Sequence, residues 1–343
     1  SPDHVDPDLQ KFLEEAAARL CKWISEASHR GPLPALSVLP EVAPPLHGLS
    51  GEALLDDLQL VMEGAYQPSH PGALAHLDPP PLTASIVAEL ICAGLNNNLL
   101  AEELSPSLSR LEIQICRWVA ERIGLSSSAG GVAASGGSLS NLMALVVARQ
   151  HAGLQHDAKA VVLASEDSHV SLAKAVRVMG LATDALQLVP TDDYGQMSLQ
   201  ALSEQLIALE SKGRRCFALV ATAGTTVRGA VDPLLSLGEF CAREGVWFHV
   251  DGAIGGVFAL AGTTSQVVKG ISDADSVTLN PQKLLGITKT SSLLLVADRS
   301  HLASAFATGL PYIEPAWGEA HGGEMGLQGS RPAEVLKLWL GLR

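Results

Sequence analysis

Val246-Trp247-Phe248-His249-Val250-Asp251-Gly252-Ala253 is an apolar run that ends on a carboxylate followed by two small residues. It reads as a buried strand, which puts Asp251 at the strand's C-terminal tip, where α/β proteins place their ligands. Runs of the same kind occupy residues 131–134, 159–164, 216–222, 276–279 and 291–296. Several are continuously apolar rather than alternating, as expected of a sheet covered by helices on both faces. From Thr83 onward the pattern is helix, loop, helix, and then alternating strand and helix. The predicted class is α/β, with a mostly parallel central sheet.

Ahead of that region, Asp6-Pro7 offers an N-cap with proline at the first helical position. Leu9, Phe12, Leu13, Ala16, Leu20, Trp23 and Ile24 then recur at helical spacing. A proline-rich stretch over residues 32–45 leads to a second helical pattern, after Ser50 and running to about Glu63. The expected organisation is an N-terminal helical segment with its linker over 1–69 and a large α/β domain over 70–343.

Composition narrows the classes further. The 343 residues are 47% hydrophobic and only 17% charged, which predicts more apolar surface than one protomer buries and so an oligomer. A net charge of -13 argues against nucleic acid or an anionic membrane as partner. The five cysteines are odd in number and form no CxxC pair, so free thiols in a reducing compartment are expected. No signal-peptide pattern or bilayer-length apolar run occurs, and the expectation is a cytoplasmic protein. The 11 histidines show no ligand spacing, and no metal is expected.

The residues that could carry chemistry fall at strand ends. A buried carboxylate at position 251 needs a cationic partner to offset its desolvation. Lys283, in Asn280-Pro281-Gln282-Lys283, follows another strand-like run, and a partly buried amine can form a Schiff base. Ser135-Gly136-Gly137-Ser138 precedes a helical stretch, and its glycines let backbone N–H groups approach an anion at the positive helix terminus. His169 follows an apolar strand and opens a helix, as a cap or as a ligand-facing ring. Thr226 follows a strand, and Ala253 shares a face with Asp251 if the strand geometry persists. Tyr312 sits in a glycine-proline loop context. The glycines between 315 and 329 fit either a flexible lid or an ordinary surface loop.

Ser135-Gly136-Gly137-Ser138 with Asn141-Leu142, Asp167-Ser168-His169, Gly224-Thr225-Thr226 with Asp232-Pro233, His249-Val250-Asp251-Gly252-Ala253, Asn280-Pro281-Gln282-Lys283 and Lys337-Leu338-Trp339 occur in this order. Over about residues 70–343 the chain resembles the group II pyridoxal-phosphate-dependent amino-acid decarboxylases, which include the glutamate, cysteine-sulfinate, aromatic-amino-acid and 2,4-diaminobutyrate enzymes. The resemblance implies a fold-type I homodimer that binds pyridoxal 5'-phosphate and decarboxylates an L-amino acid. It implies that Lys283 forms the Schiff base, Asp251 pairs with the pyridine nitrogen, His169 stacks on the ring and Ala253 lies beneath it. It further implies that Gly137 and Ser138 bind phosphate with Asn280 as a further donor, that Thr226 reaches the ring or the substrate carboxylate, and that Tyr312 protonates the substrate carbon. By the same resemblance, His76 and Asn98 fall in regions that line the substrate pocket in the family. His76 with Asp78-Pro79-Pro80 resembles the 2,4-diaminobutyrate branch, whereas the Asn96-Asn97-Asn98 run resembles the glutamate and cysteine-sulfinate branch.

Two departures accompany the resemblance. Gln282 stands where many members have histidine; it keeps hydrogen-bonding ability but cannot titrate near neutral pH. The sequence also stops at Arg343, where members usually continue into a smaller C-terminal domain, so that domain is expected to be absent. Alternative readings are transamination, aldol cleavage or desulfurisation on the same fold, or a non-catalytic cofactor-binding protein.

Overall fold

The structure, a computed structural model, describes residues 6–35, 39–74, 77–309, 317 and 321–343. Two compact units divide the chain, residues 1–80 and 81–343. In the first, α1 (Leu9–Ser25) and α2 (Gly51–Glu63) are tied by Arg19, which donates to the Leu55 carbonyl at 2.8 Å and to Asp56 at 3.0 Å. Ser50 caps α2 by accepting from Ala53 N. α1 starts later than Asp6-Pro7 predicts. The Asp6 carboxylate accepts the Asp8 N–H in a turn, and Asp8 takes the N-cap position.

The second unit opens with α3 (Thr83–Leu95) and α4 (Pro106–Arg122), and then alternates. β1 (Gly130–Ala134) leads to α5 (Gly137–His151), β2 (Ala160–Ser165) to α6 (Ser171–Val178), and β3 (Leu186–Val189) to α7 (Leu199–Ser211). β4 (Arg215–Thr222) and α8 (Leu234–Glu244) precede β5 (Trp247–Gly252), β6 (Ser276–Leu279) and β7 (Ser292–Val296), with α9 (Ser300–Phe306) and α10 (Val335–Gly341) last. The strands form one sheet in the order β1-β7-β6-β5-β4-β2-β3. Only β7 runs against the rest, pairing antiparallel with both β1 and β6.

Alternation along each strand sorts the side chains between two cores. Leu163, Leu219, Ala221, Phe248, Val250 and Val277 pack with α4, α7, α8 and α10 on one face. Val162, Ala164, Ala218, Val220, Trp247 and Leu294 pack with α5, α6 and α9 on the other. This is the doubly covered sheet that the continuous apolar runs predict. β3 escapes that prediction because it is a short edge strand, Leu-Gln-Leu-Val, with only Val189 buried.

Within the glycine-rich stretch of residues 315–329, Gly322 and its described neighbours are closely packed. Gly322–Glu324 forms a 3₁₀ turn, and a Cβ at Gly322 would lie 2.4 Å from the Leu99 carbonyl oxygen. Buried His321 accepts the Glu102 N–H, and Met325 is buried. Just beyond, Arg331 makes a bidentate pair with Glu112 of α4 at 2.5 and 2.6 Å, both side chains being buried. Among the described residues no helix is long and apolar enough to cross a membrane.

Candidate active site

All the parallel strands point their C-terminal ends one way, and a cleft of about 350 Å³ opens there. Its walls are the loops that leave β1, β2, β4, β5 and β6. From them come Gly137, Ser138, His169, Thr226, Asp251, Ala253, Asn280 and Lys283, so eight separately predicted positions face one space.

At one end, Gly136 adopts φ 97° as the N-cap of α5, a left-handed conformation that glycine tolerates. The helix enters the cleft with no side chain on its first amides, which are positive-ended donors suited to an anion. Gly137 is required by proximity: a Cβ there would lie 2.8 Å from Asn280 Nδ2. Asn280 is itself oriented, because its Oδ1 accepts from the Ser292 hydroxyl at 2.8 Å and the Nδ2 donor is left beside the glycine.

Deeper in, Asp251, next to last in β5, lies between Thr222 of β4 and Thr278 of β6, its register partners. One carboxylate oxygen accepts Asn141 Nδ2 at 2.7 Å and the other accepts Ala253 N at 3.1 Å. Both of these hydrogen bonds come from N–H donors, and a carboxylate has further lone pairs to offer. The strand ends at Gly252, so Ala253 comes into the cleft by a turn bonded to Asp251 rather than by continued strand alternation. Thr222 Oγ1 is buried on the cleft wall with no protein partner among the described residues.

His169 Nδ1 accepts the Ser171 N–H at 3.2 Å, so its proton sits on Nε2 and the ring serves both as cap of α6 and as cleft wall. Lys283 lies in the turn that follows β6, its N–H bonded to the Asn280 carbonyl at 3.0 Å. Gln282 braces this turn: its Oε1 accepts Ser291 N at 2.7 Å and its own N–H reaches the Ser291 carbonyl. Gln282 thus supplies a structural hydrogen bond at this position.

Of the remaining predicted positions, one lies elsewhere and two are not among the described residues. Asn98 does not line the cleft: its Oδ1 accepts the N–H groups of Leu100 and Arg331 and its Nδ2 donates to Ser330, so the carboxamide holds a chain crossing together. His76 and Tyr312 lie outside the described residues.

The profile of the pyridoxal-dependent decarboxylase conserved domain matches residues 35–343. The chain belongs to this family. It is 34% identical over 279 residues to the aromatic-L-amino-acid decarboxylase of Bacillus atrophaeus, covering 80% of this chain and 58% of that protein. With the L-2,4-diaminobutyrate decarboxylase of Rhizobium meliloti it shares 33% identity over 332 residues, covering 96% and 66%. A crystal structure of mouse CSAD matches it with a TM-score of 0.86 at 28% identity, over 98% of this chain and 74% of that one. The chain therefore spans less than two thirds of the length of the first two relatives.

The family's cofactor suits the groups that line the cleft. A phosphate needs amide donors at a helix N-terminus, and a pyridine nitrogen needs an acceptor; α5 with Asn280 offers the first and Asp251 the second. The unpartnered Thr222 hydroxyl is a further donor that a bound molecule could satisfy. Sequence reading missed Thr222 as a site residue, because a threonine ending a strand looks like any other β-branched residue. It also missed the role of Asn141, whose contact with Asp251 joins positions 110 apart.

Proposed function

We propose that this chain carries the cofactor-binding part of a pyridoxal-phosphate-dependent L-amino-acid α-decarboxylase, a carboxy-lyase, with Lys283 as the residue that holds the cofactor covalently. The observation that carries the reading is that Asp251 and Lys283 face one cleft whose far end is the bare N-terminus of α5. When bound, the cofactor supplies an electron sink for the pair released as the Cα–carboxylate bond breaks.

The chain's own residues bind and orient. The amides of Gly137 and Ser138, with Asn280 Nδ2, receive the phosphate, and Asp251 accepts from the protonated ring nitrogen. His169 covers one ring face, and the small Ala253 leaves room on the other. Thr226, exposed at the mouth, offers a hydroxyl to the substrate carboxylate. Gln282 holds the turn so that Lys283 keeps its place, and Tyr312 is proposed as proton donor to the substrate carbon.

A homodimer in a reducing, cytoplasmic compartment is part of this proposal. α3 turns Val87, Leu90, Ile91 and Leu95 to solvent, each about half exposed, which is the stripe expected of a helix that packs on a partner. All five cysteines are free. The named relatives act on amino acids of different side-chain chemistry, so the test is carbon dioxide release from L-2,4-diaminobutyrate, L-cysteine sulfinate, L-glutamate and aromatic L-amino acids. Release from one class, lost in a folded Lys283→Ala variant, is expected. Formation of a keto acid or aldehyde without carbon dioxide would replace decarboxylation with another reaction on this fold.

A further inference from the structure

Behind Asp251 lies a buried polar chain whose proton positions follow from its end point. Asn141 faces the Asp251 carboxylate through one end of its carboxamide, at 2.7 Å. Two acceptors would repel at that distance, so the end must be the NH₂ group, which also donates to Ser171 Oγ at 3.0 Å. The carboxamide oxygen then faces His249 Nε2 at 3.2 Å, and that nitrogen must carry the proton. His249 Nδ1 is left as acceptor for the Ser276 hydroxyl at 2.8 Å, and Ser276 Oγ accepts the Trp247 indole N–H, also at 2.8 Å. Each donor meets one acceptor from Trp247 to Asp251. Burial pushes His249 down to about 4, against the pull of the Asp251 charge, which agrees with the neutral imidazole this chain requires. His249, Ser276 and Asn141 are all fully or almost fully buried.

We infer that Asn141, His249 and Ser276 are positioning residues that act through Asp251 on the cofactor's ring nitrogen, by fixing which carboxylate lone pairs are used up inside the protein and which face the cleft. The inference rests on the reading of Asp251 given under Proposed function. Their geometry supports a role beyond packing. β5 places His249 and Asp251 two residues apart on one face, and α5 and α6 supply Asn141 and Ser171 against that same face. A merely structural polar cluster would not need to finish on a residue that lines the cleft. This one does, with a donor.

The test compares binding of pyridoxal phosphate with that of its 1-deaza analogue, which has carbon in place of the ring nitrogen. The parent protein is expected to prefer pyridoxal phosphate by about tenfold or more, as for a charge-assisted hydrogen bond. Asn141→Leu removes the donor and should reduce that preference to about threefold or less, and Ser276→Ala should give an intermediate value. Ser276→Ala, which removes a single oxygen, carries the test alone if Asn141→Leu does not fold. A purely structural role predicts that the variants bind both compounds more weakly by the same factor, leaving the preference unchanged, and that result overturns the inference alone. A parent that binds neither compound, or both equally, overturns the reading of Asp251 and this inference with it.

Discussion

Gly137 shows how much one residue decides at this site. Its missing Cβ is what lets Asn280 Nδ2 approach the first turn of α5. Gly137→Ala should therefore weaken pyridoxal phosphate binding about tenfold, or about 1.4 kcal/mol, the loss of one donor to a charged group. Equilibrium titration checks this, and an unchanged affinity would remove the glycine from the phosphate seat. Two buried titratable groups act on stability with opposite signs. Burial pushes His249 down to about 4 and Asp232 up to about 6, the latter despite N–H bonds from Thr222 and Met197. The unfolded chain protonates histidine below about pH 6.5 while native His249 stays neutral, so acidification through that window destabilises. Native Asp232 takes its proton near pH 6, well before the unfolded chain does near 3.9, so acidification there stabilises. In Asp232→Asn the second effect is gone. Relative to the parent, its unfolding free energy in urea should fall by up to about 1.4 kcal/mol per pH unit from pH 6 to 4. Parallel pH curves for the two proteins would contradict this. At this scale the sequence was legible where a residue type is tied to a chemical need, as for Asp251 and Lys283. It was silent on Asn141 and Ser276 as partners, since those contacts exist only once α5, β5 and β6 are stacked.

Elements were read most surely where both faces are buried. Ser276–Leu279 has the predicted bounds, and α2 begins at the Ser50 cap as expected. β3 was invisible because an edge strand needs no continuous apolar run, and the start of α1 was misplaced because Asp6 caps a turn instead of the helix. The glycines between 315 and 329 fitted either a lid or a surface loop, and among the described ones Gly322 serves close packing on the Leu99 carbonyl. Composition alone does not separate a glycine needed for motion from one needed for contact. The Arg331–Glu112 pair fastens the segment before α10 to α4. Arg331→Ala leaves Glu112 as a buried charge without its partner and should cost about 3–5 kcal/mol, whereas the double variant, Arg331→Met with Glu112→Leu, should be close to neutral. Chemical denaturation of the parent and the two variants distinguishes the cases. Equal losses in the single and double variants would contradict this, showing that the ion pair itself contributes net stability that apolar side chains of similar volume do not replace.

For the whole molecule, the sheet order and the direction of its strand ends gather motifs scattered from 135 to 283 at one cleft. The chain's α/β class and mostly parallel sheet were legible because apolar runs and helical stretches alternate. The proposed partner surface rests in the sequence on an excess of apolar composition, and the exposed apolar stripe of α3 is where that proposal places it. Leu90→Glu together with Ile91→Glu should shift the protein from dimer to monomer in sedimentation velocity, and an unchanged dimer would place the interface elsewhere. Lys283 is the residue on which the proposed chemistry turns, and borohydride reduction in the presence of pyridoxal phosphate, followed by peptide mass spectrometry, reads its role at the amine itself. A pyridoxyl group on Lys283, absent from Lys283→Ala, is the predicted result; a label on another lysine, or none in the folded parent, would contradict it.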